Sequence, residues 1–184
     1  MTITPTEIPD VLILSPKKHG DARGFFSEVY KESVLAEHGF TEAFIQDNHA
    51  YSAEAGVLRG LHYQSPPFAQ DKLVRVVRGS IYDVAVDIRK GSATFGKWVG
   101  VELSADNWQQ LLVPKGFAHG YLTLEPDTEV LYKVTNRYAP ECDKGVLWND
   151  AEIGVDWPLK GEPILSAKDE VQPLLSEIEL EFTL

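Results

Sequence analysis

The sequence predicts an all-β fold, a sandwich, jelly roll or barrel, with a few short helices. Three observations predict it. Short apolar runs recur along most of the chain, punctuated by Gly, Pro and Asp at intervals of about 8 to 12 residues. From Ile81 to Ile88, Tyr82, Val84, Val86 and Ile88 share one face and Asp83 and Asp87 the other, the period-two alternation of a strand. Ahead of the C-terminal region only Lys31 to His38, with Val34 and Leu35 inside it and Gly39 behind it, reads as a helix, about two turns long with a glycine C-cap.

In chain order, Val11-Leu12-Ile13-Leu14 is a short strand closed by Ser15-Pro16, because proline cannot continue a ladder. Gly20 to Glu28 is a turn leading into an aromatic strand at Phe25-Phe26, and the helix follows. Phe44 to His49 favours a strand whose polar end, Gln46-Asp47-Asn48, is too rich in amides for a plain core element. Gly56 to Gln64 is an apolar strand carrying Arg59 and His62. Strict alternation would place His62 with Leu58, Gly60 and Gln64 and turn Arg59 the other way, unless a bulge near Gly60 deforms the strand or Arg59 serves a barrel edge or a subunit boundary. Lys72 to Ile88, with a turn at Arg78-Gly79-Ser80, reads as a hairpin with one buried face. Lys97–Leu103, Gln109–Val113, Gly120–Leu124, Glu129–Val134 and Gly145–Trp148 continue the pattern. From Ala167 to Glu179 the chain is expected to be partly helical, interrupted or begun at Pro173.

The 184 residues fit one domain, residues 1–184, with enough chain to bury a substantial core. A hydrophobic content of 43% with 24% charged residues excludes a disordered chain. The formal net charge of −11 argues against nucleic acid and anionic membranes as partners. No apolar run approaches a membrane span and the N-terminus has no charged-then-apolar leader, so a cytoplasmic protein is expected. The single Cys142 cannot make an internal disulfide, which agrees with a reducing compartment. It sits in the turn-like Ala139-Pro140-Glu141-Cys142-Asp143 with no base nearby in sequence, a poor setting for a nucleophile.

Pro114-Lys115-Gly116-Phe117-Ala118-His119 resembles the second signature of the cupin β-barrels, in which Pro and Gly shape a turn and the histidine points into the barrel. The resemblance implies a cupin-type double-stranded β-helix, that is, a jelly-roll barrel. The His-x-His of the other signature is represented only by His62-Tyr63-Gln64. A divalent transition metal takes three or four well-placed ligands. Two histidines do not supply them, so no metal and no cofactor are expected, and any chemistry must come from side chains.

Taken singly, each candidate has an ordinary explanation: His62 a hydrogen-bonded core histidine, Lys72 a solvated strand end, Tyr132 and Tyr138 amphipathic packing, Lys168-Asp169 a solvated turn. Together, a histidine, an aspartate, a lysine and a tyrosine suit proton transfer next to a carbonyl. The carboxylate orients the imidazole, the imidazole removes the proton, the ammonium stabilises the enolate and the phenol returns a proton.

The ordered set Gly20-Asp21-Ala22-Arg23-Gly24-Phe25-Phe26, Gln46-Asp47-Asn48-His49, Gly56 to Gln64, Lys72-Leu73-Val74-Arg75, Phe95-Gly96-Lys97-Trp98, Pro114 to Gly120 and Leu147-Trp148-Asn149-Asp150 resembles the dTDP-4-dehydrorhamnose 3,5-epimerase family from about Glu7 to Asp169. The resemblance implies His62 as general base with Asp169 as its partner, Lys72 beside the C4 oxygen of a dTDP-sugar, and Tyr132 as proton donor on the opposite ring face. It implies Arg23, Phe25, Glu28, Gln46, Asp47, Asn48, Arg59, His119, Tyr138, Asp143 and Lys168 as substrate contacts, with Tyr138 helping to control the second epimerisation. Asp143 stands where the family often has Glu, and Arg137 where a tyrosine is expected. A homodimer is implied as well, with the N-terminal strands at Phe25-Phe26 extending a sheet between subunits. Arg23, Arg59, Lys72 and Lys168 would supply a local cationic patch for the nucleotide diphosphate. A mono-epimerase or 3,4-ketoisomerase on the same sugar nucleotide, or a non-catalytic barrel that binds it, are the rival readings.

Overall fold

A computed structural model describes residues 1–183. Two antiparallel sheets face one another. The first has six strands in the order β1 (Thr2–Pro5), β2 (Leu12–Ser15), β10 (Gln110–Val113), β7 (Lys72–Arg78), β12 (Thr128–Val134) and β5 (Gln46–Ser52). The second has five, in the order β13 (Asp143–Gly145), β6 (Leu58–Gln64), β11 (Phe117–Thr123), β8 (Ser80–Asp87) and β9 (Trp98–Ser104). A small ribbon, β3 (His19–Asp21) with β4 (Gly24–Phe26), stands apart from both. This is the jelly roll that the spacing of strands and turns predicts.

Between the sheets lies a core to which the six-stranded sheet gives Val74, Val76, Leu111, Val113 and Val130, and the five-stranded sheet Ile81, Ala85, Val99, Leu103, Phe117 and Tyr121. Two further clusters cover the outer faces. Leu35 of α1 (Glu32–Glu37), with Phe40 and Phe44, packs on Leu14, Leu73 and Leu112. Ile153, Trp157, Leu175 and Phe182 from the C-terminal region pack on Leu61, Val84, Val86 and Ala118. Each fully buried Leu, Ile or Val contributes about 1.5–3 kcal/mol relative to exposure, so both faces of both sheets add to stability.

Two expectations change. Lys72 to Ile88 is not a hairpin: β7 belongs to one sheet and β8 to the other, so Gly79, at φ +73, turns a corner between layers. The alternation in β8 is real, but neither face meets water. Its apolar face lies under the C-terminal region, while Asp83 and Asp87, both 0% exposed, lie within the fold. Local pattern distinguishes two faces without saying what covers each. The C-terminal region is partly helical, as expected, with two short 3-10 helices, Asp169–Val171 and Leu175–Glu177, parted at Pro173. Strand boundaries otherwise shift by a few residues, β1 was not anticipated, and the strand expected at Gly145–Trp148 is β13, ending at Gly145. Among the described residues, no helix is long and apolar enough to cross a membrane.

Candidate active site

The site is built on a break in β6. His119 of β11 pairs with His62, and Tyr121 with Arg59, so three steps along β6 match two along β11. The extra residue is a β-bulge, as the sequence requires if Arg59 and His62 are to share a space. Its consequence is a change of parity: Leu61 and Tyr63 pack outward and His62 inward, yet Leu58 packs outward and Arg59 lines the interior cavity. Gly60 permits it. Its φ is +131, and a Cβ there would stand 2.5 Å from the Cα of Gly120 and 2.9 Å from the carbonyl oxygen of His119.

A cavity of about 420 Å³ opens between the sheets, within the size range of ligand pockets. The five-stranded sheet contributes Arg59, His62, His119 and Tyr121; the six-stranded sheet contributes Lys72 and Tyr132; the C-terminal region contributes Ser166 and Asp169. An adjoining space of about 490 Å³ shares His62, Lys72 and Tyr132 and adds Gln46, Asn48, Tyr138, Asp143 and Lys168. The amide-rich end of β5 therefore has a place: Gln46 and Asn48 turn inward and bond to each other at 2.8 Å.

His62 Nε2 lies 2.5 Å from Asp169 Oδ1. An ionised carboxylate only accepts, so the proton sits on Nε2 and Nδ1 is left with a free lone pair, the tautomer a general base needs. Asp169 is 3% exposed. Burial alone would raise its pKa, but the hydrogen bonds from His62 and from the Ser166 hydroxyl, at 2.8 Å, outweigh burial and hold the carboxyl below its ordinary range. It stays charged at neutral pH.

A second histidine–carboxylate pair faces the same cavity. His119 Nε2 is 2.7 Å from Asp83 Oδ1, and burial, opposed by Asp83, lowers the His119 pKa. Among the described residues, Asp83 Oδ2 and the Tyr121 hydroxyl are buried without a hydrogen-bond partner. That carboxylate also acts on Lys72. Burial pushes Lys72 down to about 8, against the pull of Asp83 and Asp143. Burial pushes the Tyr132 phenol up, with Arg59 opposing, so it remains a proton donor well into the alkaline range.

At the mouth, Asp143 Oδ2 accepts from Lys168 Nζ at 2.6 Å and from the Tyr138 hydroxyl at 3.0 Å. The shortened acid thus holds two predicted contact residues rather than standing free. Arg137 is exposed beside it, stacked on Phe68. Among the described residues, no group of three or more His, Cys, Asp or Glu is arranged to hold a metal ion.

Four predicted contacts are not brought here. Arg23 is exposed and paired with Asp21 beside the β3–β4 ribbon. Phe25 is 53% exposed, edge-on to Trp108. Glu28 is exposed, and Asp47 points to the outer face of the sheet, 2.8 Å from Lys133 Nζ. The cationic patch is therefore Arg59, Lys72 and Lys168, without Arg23. Sequence reasoning missed Asp83, Tyr121 and Ser166. The acidic face of β8 was the available signal for Asp83; nothing local marked the other two.

The family model of dTDP-4-dehydrorhamnose 3,5-epimerase matches residues 5–177. The chain is 55% identical over 180 residues to the dTDP-4-dehydrorhamnose 3,5-epimerase of Escherichia coli, covering 97% of this chain and 96% of that one. Among solved structures it is similar to the Legionella pneumophila dTDP-6-deoxy-D-glucose-3,5-epimerase in complex with dTDP-4-keto-L-rhamnose, at TM-score 0.95 and 45% identity, covering 100% and 98% of the two chains. It is also similar to the Bacillus anthracis dTDP-4-dehydrorhamnose 3,5-epimerase with TDP and PPi bound, at TM-score 0.90 and 54% identity, covering 94% and 98%.

Proposed function

Because the chain belongs to the dTDP-4-dehydrorhamnose 3,5-epimerase family, we propose that it inverts C3 and C5 of dTDP-4-dehydro-6-deoxy-D-glucose, giving dTDP-4-dehydro-β-L-rhamnose, with the His62–Asp169 pair as base and Tyr132 as acid. The supporting observation is placement. His62 stands on the five-stranded sheet and Tyr132 on the six-stranded sheet, so base and acid approach one cavity from opposite walls. A sugar ring held between them loses a proton on one side and gains one on the other, which is inversion.

The C4 ketone acidifies the C–H bonds on both neighbours. His62 Nδ1 takes the proton; the C–H electron pair forms the enolate double bond and charge moves to the C4 oxygen. Lys72, a largely protonated cation at neutral pH, stabilises that oxyanion. Tyr132 donates its proton to the opposite face, and the carbonyl re-forms. His62 then releases its proton to solvent and the Tyr132 phenolate takes one up, and a turn of the ring presents the second carbon to the restored pair. Arg59 and Lys168 engage the diphosphate, Gln46 and Asn48 the nucleotide sugar, and His119, Tyr138 and Asp143 line the approach.

Purified protein incubated with the substrate in D2O incorporates deuterium at both C3 and C5, read by NMR of the product. Label at neither carbon sinks the reading; label at C3 alone makes the protein a mono-epimerase.

The state of Lys72 sets an alkaline limit. Its pKa of about 8 leaves it mainly protonated at pH 7, and kcat/KM declines as pH rises through about 8. Tyr132, whose pKa is raised, does not impose that limit. A rate that stays flat to pH 10 removes Lys72⁺ from the mechanism.

Residues 1–184 act as one domain that works as a homodimer in the cytoplasm, supplying rhamnose for surface polysaccharide such as lipopolysaccharide. Supporting the dimer, the β3–β4 ribbon exposes Phe25 at 53% and Phe26 at 68% beside Arg23, although the resemblance assigns Arg23 and Phe25 to the substrate. A partner's cavity would reunite them with it. Light scattering gives twice 20.5 kDa, about 41 kDa; a mass of 20.5 kDa contradicts the dimer.

A further inference from the structure

The base and its carboxylate are 107 residues apart in sequence and reach each other from different parts of the fold. Two attachments hold the C-terminal partner in place. In the first, Ile164 pairs with the start of β6: Leu58 N–H donates to the Ile164 carbonyl at 3.0 Å, and Ile164 N–H to the Gly56 carbonyl at 2.8 Å. The strand that carries His62 therefore also anchors the segment that carries Asp169. The second attachment is Ser166. Its hydroxyl donates to Asp169 Oδ2 at 2.8 Å and accepts from the Asp169 N–H at 3.2 Å.

That geometry divides the carboxylate. Oδ1 faces His62 and Oδ2 faces Ser166, so the plane of the carboxylate is fixed at both ends. A Ser hydroxyl has one proton, and here that proton goes to Oδ2. Without it, rotation about the last side-chain bond of Asp169 is restrained only by the imidazole it is meant to orient.

We propose that Ser166 is a positioning residue for catalysis, completing a Ser166–Asp169–His62 relay in which the hydroxyl orients the carboxylate that orients the base. The role rests on the epimerase reading above and adds a residue to it. Ser166 lines the cavity wall, but it acts through Asp169.

Three variants test it by steady-state kinetics and by deuterium incorporation. Ser166→Ala lowers kcat about 10- to 100-fold, the range for a lost hydrogen bond to a charged group, with KM within about twofold. Ser166→Thr, which keeps the hydroxyl, recovers most of the rate. In an Asp169→Asn background the same Ser166→Ala change has little further effect on kcat, because residues acting in series are not additive. A Ser166→Ala protein with wild-type kcat and only a lower Tm reduces Ser166 to a turn-forming residue and overturns the proposal. So does an equal Ser166→Ala loss with and without Asp169, or a Ser166→Thr variant as slow as Ser166→Ala. Wild-type protein that exchanges no deuterium overturns the epimerase reading itself; wild-type exchange with an unaffected Ser166→Ala variant overturns the positioning role alone.

Discussion

His62→Ala lowers kcat by about 10²- to 10⁴-fold, the usual contribution of a positioned general base, and removes deuterium exchange at both carbons. The protein stays folded. The His62 side chain borders the cavity, so its removal enlarges an existing space rather than opening a void in the core. The main structural cost falls on Asp169, which is buried and loses the partner that helps to keep it ionised. Leaving such a group half-satisfied costs roughly 1–3 kcal/mol, or a few degrees of Tm in a chain of this size. That carboxylate gives stability above its unfolded pKa, lost as pH falls through the lower folded value. Without the imidazole the folded pKa moves back toward the unfolded one, so the variant loses less stability on acidification than the wild type does. A variant that retained exchange while melting far below the wild type would return His62 to the ordinary role of a core histidine.

Gly60→Ala damages folding and chemistry together. The backbone at φ +131 is strained for any L side chain, and the added methyl meets the Gly120 backbone at 2.5 Å. Neither neighbour is the flexible end of a side chain, so the sheet must shift. Backbone strain and overpacking each cost about 1–3 kcal/mol, a combined loss of at least about 2 kcal/mol. Tm falls by at least about 4 °C. If β6 escapes by straightening, Arg59 and His62 leave each other's company and kcat/KM falls further. Wild-type Tm and kcat/KM in this variant would mean the bulge does not govern the site.

Much of the fold was readable in the chain because turn residues and alternating strands are local signals. The alternation in β8 and the amides of β5 both stood out; Asp83 and Asp87 of the first and Gln46 and Asn48 of the second proved to lie inside the fold. What local pattern could not supply was the identity of the neighbours. Arg78-Gly79-Ser80 looks the same in a hairpin and at a corner between sheets, because the difference lies in which distant strand pairs with each arm. Asp83 and Asp87 looked solvated because alternation normally separates core from water, and here it separates one buried layer from another. For the site, the His62, Lys72, Tyr132 and Asp169 set came from the chemistry they share and from family resemblance, and the structure gathers all four at one cavity. Arg23, Phe25, Glu28 and Asp47 stand outside the cavity of a single chain. Ser166 escaped notice because a serine two residues before Lys168 has no signature; only the direction of its hydroxyl distinguishes it.

Among the described residues all thirteen strands end by Gly145, whereas the carboxylate that pairs with His62 lies at residue 169. Chains are synthesised from the N-terminus, and a domain folds as a unit. A growing chain released as far as residue 150 thus holds every strand of both sheets, and Lys72 and Tyr132 as well, but an imidazole without its companion. The carboxylate arrives late in the chain, on a segment that also seals the outer face of the five-stranded sheet. A chain cut before Ser166 would therefore lack the carboxylate that pairs with His62.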